Sequence, residues 1–391
     1  MPVLKRRTNA VVRVARLLLF PAIVAGVFVG ALPHIADLED VWHLILQMTA
    51  GQAAILVGLT ILNVVTYWPV LVAGLPGLGY GRAALANQSS TSVAMTIPGG
   101  GALAVGVSYA MYTSWGFSPS DVGLVTVVTG IANFAVKLAL PLAAVALVAM
   151  EGEPAGDLLS GALVGIAVLA AGAGLVLLIL RDERVARWAG TGIERLARRS
   201  TEPAWGDAAG RFRGRLVALL KRRWAFLTSA TVVSHLSVYL VLLASLRFVG
   251  VPNSEIGWAQ ALAVFALVRL ASAVPIVPGN VGLAELGYIG GLLLAGGDRT
   301  HVVAAVLVFR VLTYFLQIPL GGITYVLWRR GLRRRLGGDG SGSAAEGPEE
   351  PQDGPEDHRD APRDGGADQA ELRPADHGAP RHDEQPSVTA T

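Results

Sequence analysis

Six stretches of the chain, about 17–36, 52–75, 122–149, 158–180, 224–249 and 301–328, are apolar and nearly free of charge. A helix needs ~20 mostly apolar residues to cross ~30 Å of hydrocarbon. In that medium every backbone polar group must be bonded within its own segment, so each stretch is expected to be a membrane-crossing helix. Two further stretches, 83–113 and 258–297, are apolar but cut near the middle by Pro-Gly clusters. Each is either a pair of short helices dipping in and out or two tight crossings, and both options return the chain to its starting side. The expected fold is an all-α polytopic membrane protein with six long transmembrane helices and two Pro/Gly-broken segments, forming one transmembrane domain over 1–336.

The broken stretches resemble each other. IPGGGALAVG at 97–106 aligns without gaps to VPGNVGLAEL at 277–286, with Pro98/Pro278, Gly99/Gly279, Leu103/Leu283 and Ala104/Ala284 identical and Gly116 matching Gly296. Both copies run from a broken segment through a short loop to a long helix with a late proline, Pro141 or Pro319. Short matches in an apolar protein arise by chance, so the shared order of elements carries more weight than the identities. Helix breaks at membrane depth free backbone groups that need protein or water around them, and half-helix N-termini carry partial positive charge. Inverted repeats of this kind place a binding site near the midplane in many transporters. The simpler reading is that Pro-Gly permits a kink or close packing.

Charge orients the repeat. With the N-terminus inside, the inner segments carry 23 Lys and Arg against one, Arg299, in the outer loops, which is the asymmetry expected of cytoplasmic loops. Both termini are then cytoplasmic. The first broken segment enters from inside and the second from outside, an inverted repeat. Twelve of those basic residues fall in 181–223, read either as an interfacial amphipathic helix or as a solvated loop. Composition agrees with a membrane protein, at 52% hydrophobic and only 16% charged. The net charge of +3 conceals an acidic tail, 337–391, with 14 acidic and 4 basic residues. Rich in Gly, Pro and Ala with few large apolar residues, that tail is expected to be disordered. With no Cys, thiolate metal sites and cysteine nucleophiles are excluded. No nucleic-acid motif accompanies the basic residues, and no nucleic-acid partner is expected.

Ionisable residues within spans are costly and therefore candidates for function. Glu285 lies seven residues past Pro278, read as two turns into the half-helix that follows the break; Arg269 precedes Pro278 by nine residues, and Arg310 lies in the last span. A Glu with one or two Arg is either an ion-pair cluster able to grip a phosphate, which Arg matches bidentately, or a structural tie. Lys137, with Asn133 one turn before it, either touches lipid phosphate or, the favoured reading, bonds carbonyls freed by Pro141. His235 is a candidate proton relay whose ordinary role would be hydrogen-bonded packing. Arg247, near an outer helix end, is expected to snorkel to the interface. Trp42, Trp68, Trp115, Trp258 and Trp328 lie at span ends as interfacial anchors.

The run PGNVGLAELG, with Arg269 before it and Arg310 after it, resembles the flippase-like integral membrane family typified by the N-terminal domain of bacterial lysylphosphatidylglycerol synthetases. The most specific residues are Pro275, Pro278, Gly279, Gly282 and Glu285, and the first-copy Pro98, Gly99, Gly100 and Gly101 also fit. The resemblance covers roughly 10–335. It implies a bacterial plasma-membrane protein that moves lipids or lipid-linked headgroups between leaflets, and it fixes no substrate. Its implied partners are phosphate-bearing lipids and a separate lipid-modifying enzyme or glycosyltransferase. The synthetase domain of some members is absent here, and Val105 stands where the second copy has Glu285. A membrane-embedded lipid-modifying enzyme is disfavoured by the lack of nucleophile or metal motifs, and a non-transporting scaffold or regulatory subunit is the main alternative. No cofactor is expected, and the oligomeric state is left open.

Overall fold

The computed structural model describes residues 36–97, 100–151, 205–272 and 280–338, with isolated positions 167, 170 and 174. The predicted spans 17–36 (apart from its last residue) and 158–180 (apart from those positions), segment 181–204, Pro98, Gly99, Pro275, Pro278, Gly279 and the tail from 339 lie outside the described residues. The chain divides into two units, Met1–Asp339 and Gly340–Thr391, and every described residue belongs to the first.

Among the described residues all regular structure is helical. A short helix, α1 (Leu38–Leu46), precedes α2 (Ala50–Thr66) and α3 (Trp68–Gly74). Next come α4 (Tyr80–Thr96), α5 (Gly100–Ser114) and α6 (Pro119–Met150). The second half holds α7 (Trp205–Phe248), α8 (Trp258–Ala271), α9 (Leu283–Leu294) and α10 (Arg299–Arg310), a π-helical turn (Val311–Phe315) and α11 (Gln317–Gly338). Four described stretches, Ala50–Gly74, Pro119–Met150, Gly210–Phe248 and Arg299–Arg333, are long and apolar enough to cross a membrane. They coincide with four of the six predicted spans. The helices of the broken segments are short: at 1.5 Å per residue α4, α5, α8 and α9 are about 25, 22, 21 and 18 Å long, each below the ~30 Å of a hydrocarbon core.

Two boundaries differ from the sequence reading. Pro69 lacks an N–H, so the 52–75 span is divided at Tyr67 into α2 and α3. The last part of the basic segment 181–223 is neither a separate surface helix nor a loop, because α7 begins at Trp205 and runs without a break into the span. Its Arg215 pairs with Asp121 and donates to the Ser120 hydroxyl, and Arg223 donates to the Ala73 carbonyl. Arg247, expected to reach the interface, bonds the chain itself: its guanidinium ties the 251–256 turn together through the Val251 and Ile256 carbonyls and Asn253 Oδ1, each at 2.9 Å.

The two halves share an order of elements: a long helix, two short ones, then a long one. The turn after each second short helix is built alike. Gly116 and Gly296 adopt φ +91 and +102, and the same pair of bonds closes each helix end: Gly116 to Thr113 and Phe117 to Tyr112, Gly296 to Leu293 and Gly297 to Leu292. These are Schellman closures, which favour glycine in the left-handed position. Ser118 and Asp298 then cap the next helix. At the exposed Asp298, bonds from the ring and backbone nitrogens of His301 hold the carboxyl below the usual carboxylate range.

Packing crosses between the halves. The α2 helix lies along α7, α6 along α8, and α11 along α4. Polar side chains line these seams: Asn63 Nδ2 donates to Ser237 Oγ, Gln88 Nε2 to Gln317 Oε1 at 2.7 Å, and Ser92 Oγ to the Ile318 carbonyl at 2.9 Å. The apolar core centres on α8, where Tyr239, Phe265, Tyr288 and Phe309 form a chain of ring contacts. The tightest seam is α4 against α11. A Cβ on Gly321 would stand 2.2 Å from the Gln88 carbonyl oxygen, whereas Gly322 faces open space. Gly321→Ala should therefore cost about 1–3 kcal/mol or more through overpacking, while Gly322→Ala should be near neutral. Thermal unfolding of the purified protein separates the two, and equal losses would contradict this close approach.

Candidate functional site

The helices converge on a cavity of about 760 Å³ whose walls come from both short-helix pairs and all four long stretches. Polar residues line it at depth. The α4 helix alone contributes Asn87, Gln88, Ser90 and Thr91, from an unbroken polar run, Asn87–Ser92, inside a stretch that sequence reading took as merely apolar. Tyr67, Tyr112, Tyr288 and Tyr314 place four aromatic rings around the space. Tyr67 is held where Pro69 divides the span, and its hydroxyl receives a bond from Asn133 Nδ2 at 2.8 Å. Periodicity could not find these tyrosines, since nothing local distinguishes a cavity-facing tyrosine from a packed one.

Gly100, Gly101, Arg269 and Arg310 all line the cavity, so the structure brings both halves of the predicted site together. Gly100 opens α5 in contact with α4, where a Cβ would lie 2.5 Å from the Val93 carbonyl oxygen. Only a residue without a side chain permits that approach. Glu285 does not line the cavity. Contrary to the sequence reading, it is not two turns into its half-helix but in the first turn of α9. Its Oε2 accepts the Gly282 N–H at 2.7 Å, half of a capping box. Gly282 has φ +84, open to glycine and strained for other residues. The other carboxylate oxygen accepts Arg310 Nε at 2.6 Å, with both side chains buried. Arg310 also lies with its guanidinium carbon 4.4 Å from the centroid of the Tyr314 ring, and the Tyr314 hydroxyl donates to the Met95 carbonyl in α4. The π-helical turn begins directly after Arg310; such turns recur at functional sites.

Arg269 is placed differently. It sits in the last turn of α8, where the helix dipole favours a cation, with its guanidinium over Phe265 at 5.9 Å. Its Nε is buried and has no hydrogen-bond partner among the described residues. Lys137, His235, Tyr67 and Tyr288 all lie within the reach of its charge. Lys137 makes no hydrogen bond among the described residues, so the expected bond to carbonyls freed by Pro141 does not form. The α6 helix continues through that proline. Asn133 is spent on Tyr67 and the Thr129 carbonyl. His235 is buried with Nδ1 on the Thr231 carbonyl at 3.0 Å and Nε2 unpartnered. Neither Lys137, His235 nor Asn133 lines the cavity; the first two stand behind it, within reach of Arg269. The electrostatic outcome is a polar cavity with two arginines in its walls, a lysine behind, and one carboxylate already engaged by an arginine. No group of three or more His, Cys, Asp or Glu able to hold a metal ion occurs among the described residues.

This arrangement sits in a chain whose residues 14–321 match the Lysylphosphatidylglycerol synthase TM region. The chain belongs to that family. Membership together with the four long apolar helices makes it a multi-pass membrane protein of the family. No curated protein matches the sequence.

The two arginines should respond differently to loss of charge. Arg310→Gln strands a buried carboxylate and should cost about 3–5 kcal/mol, as removal of one partner of a buried pair does. Arg269→Gln removes a cation that has no carboxylate beside it among the described residues and should be neutral or stabilising. Unfolding of the two variants side by side checks this, and equal destabilisation would show that Arg269 is also held by a protein counter-charge.

Proposed function

We propose that the protein binds a lipid or lipid-linked headgroup in this cavity and carries it between the leaflets of the bacterial plasma membrane, without a chemical step of its own. The observation that carries this reading is Arg269, a cation in the wall of a membrane-depth cavity with its Nε unpartnered. Keeping an uncompensated charge inside a membrane protein costs stability, and an anionic group entering from the lipid removes that cost. The uncharged polar lining solvates the remainder of a headgroup where the bilayer offers nothing.

Two further features support movement over static binding. The halves share order, turn geometry and crossed packing, which is what an inverted repeat with cytoplasmic termini would give. The first short-helix pair then enters from the inner face and the second from the outer, so the cavity between their tips is reached by alternate rocking of the halves. The π-helical turn between α10 and α11 is a place for such a bend. Separate enzymes would make or use the lipid.

Leaflet movement of fluorescent anionic phospholipids in vesicles containing the purified protein tests the proposal. The native protein should speed movement over empty vesicles. Arg269→Gln should slow it about tenfold or more, the loss of one charge-assisted contact of ~1.5–3 kcal/mol. Movement no faster than in empty vesicles, with folded protein present, would leave a scaffolding role.

A further inference from the structure

Two residues of the cavity wall each hold a polar atom without a hydrogen-bond partner among the described residues, and the two atoms ask for opposite partners. One is Arg269 Nε, a charged donor; the other is the Asn280 side-chain oxygen, an acceptor, and both are buried without a hydrogen bond. Asn280 sits at φ +52 at the entrance to α9, with its Nδ2 donating to the Ser272 carbonyl at 3.2 Å. That carbonyl can only accept, so it fixes which way the amide points and leaves the oxygen free. Arg269 and Ser272 are one helical turn apart, and Arg269, Ser272 and Asn280 all line the same cavity. A phosphodiester oxygen satisfies Arg269 and cannot satisfy Asn280, because neither oxygen brings a proton. A buried acceptor left unmet costs about 1–3 kcal/mol. A ligand that carries an anionic acceptor and, a short distance away, a donor meets both atoms at once.

An ammonium and a hydroxyl are the two donor classes a headgroup offers, and the electrostatics of the wall chooses between them. No acidic side chain lines the cavity among the described residues. The nearby carboxylate of Glu285 has both oxygens engaged, by Gly282 N–H and by Arg310. With the Arg310 charge met by Glu285, Arg269 in the wall and Lys137 within its reach would repel an ammonium, and no carboxylate remains to hold it. A hydroxyl donates without that penalty. Hydroxyls of Thr91, Ser108 and Tyr288, which also face the cavity, form no side-chain bond to described residues and can pair with further hydroxyls.

We infer that the site selects a headgroup in which a phosphate is joined to a hydroxylated ring or chain bearing no free amine, in place of the aminoacylated lipid of the family's name. The inference rests on the lipid-binding reading above and sharpens it to a substrate class. Asn280 is the specificity-determining residue and Arg269 the charge-binding one.

Equilibrium binding to the full-length protein in nanodiscs, with three lipids as probes, tests it. Phosphatidic acid, at a pH where its phosphate has lost both protons, supplies phosphate alone, phosphatidylinositol supplies phosphate with ring hydroxyls, and lysylphosphatidylglycerol adds amines. Phosphatidylinositol should bind about tenfold more tightly than either of the others, the equivalent of one or two net hydrogen bonds. Asn280→Gly keeps the left-handed backbone conformation and should bring phosphatidylinositol and phosphatidic acid to within about twofold of each other, while Arg269→Gln should weaken both. Unfolding of each variant confirms that it is folded. Phosphatidic acid binding as tightly as phosphatidylinositol, or lysylphosphatidylglycerol binding best, would overturn the inference and leave lipid transport standing. Phosphatidylinositol bound selectively but never moved between leaflets would support the inference and remove transport. Free inositol 1-phosphate competing as well as the lipid would uphold the same chemistry and identify the ligand as the soluble phosphate. Failure of all three lipids and the free phosphate to bind would overturn both.

Discussion

The carboxylate of Glu285 holds two separate parts of the molecule at one point. One oxygen closes the first turn of α9 at the Gly282 N–H, and the other fixes Arg310 of α10. Helix starts in a hydrocarbon medium leave N–H groups that water cannot reach, and a charge there needs a partner. A single acid answers both demands. The consequence is positional: with Arg310 pinned over Tyr314, and Tyr314 bonded to Met95 in the first half, the second short-helix pair is tied to the first around the cavity. Glu285 therefore shapes the site from behind its wall.

Against that fixed pair, Arg269 gains its meaning. Because the acid is consumed by the helix start and by Arg310, the remaining charge at the site is positive. The uncharged polar lining, from the Asn87–Ser92 run of α4 to Gln317 at the head of α11, lets a hydrated group sit where the membrane would exclude it. Gln88 and Gln317 also bond α4 to α11, so binding surface and interhelical seam share these two side chains.

Much of this was legible in sequence because the bilayer imposes strict demands on it. The length of an apolar run reports a span, and the four described long stretches fall where the runs do. Pro-Gly clusters report breaks, and Arg269, Glu285 and Arg310 stood out because charge is rare at that depth. Gly116 and Gly296 matched in sequence and share one left-handed closure. What sequence could not carry was orientation within helices. Glu285 was read as two turns deep because the start of α9 at Leu283, set by the left-handed Gly282, is a matter of backbone geometry. Lys137 was assigned to Pro141 by proximity in sequence, whereas its surroundings are set by α8 from the other half. The tyrosines and the Asn87–Ser92 run went unread since uncharged polar residues raise no alarm in an apolar count.

Everything in the functional account depends on the two short-helix pairs reaching one cavity from opposite faces of the membrane. Pro119 and Arg299, both exposed, open α6 and α10 directly after those pairs and occupy matched positions in the two halves. The chain has no native Cys, so Pro119→Cys and Arg299→Cys can be read singly with a membrane-impermeant thiol reagent in intact cells. Labelling of Arg299→Cys from outside, with Pro119→Cys labelled only after the membrane is opened, is the predicted result. Labelling of both positions from the same side would contradict the inversion and the transport mechanism built on it.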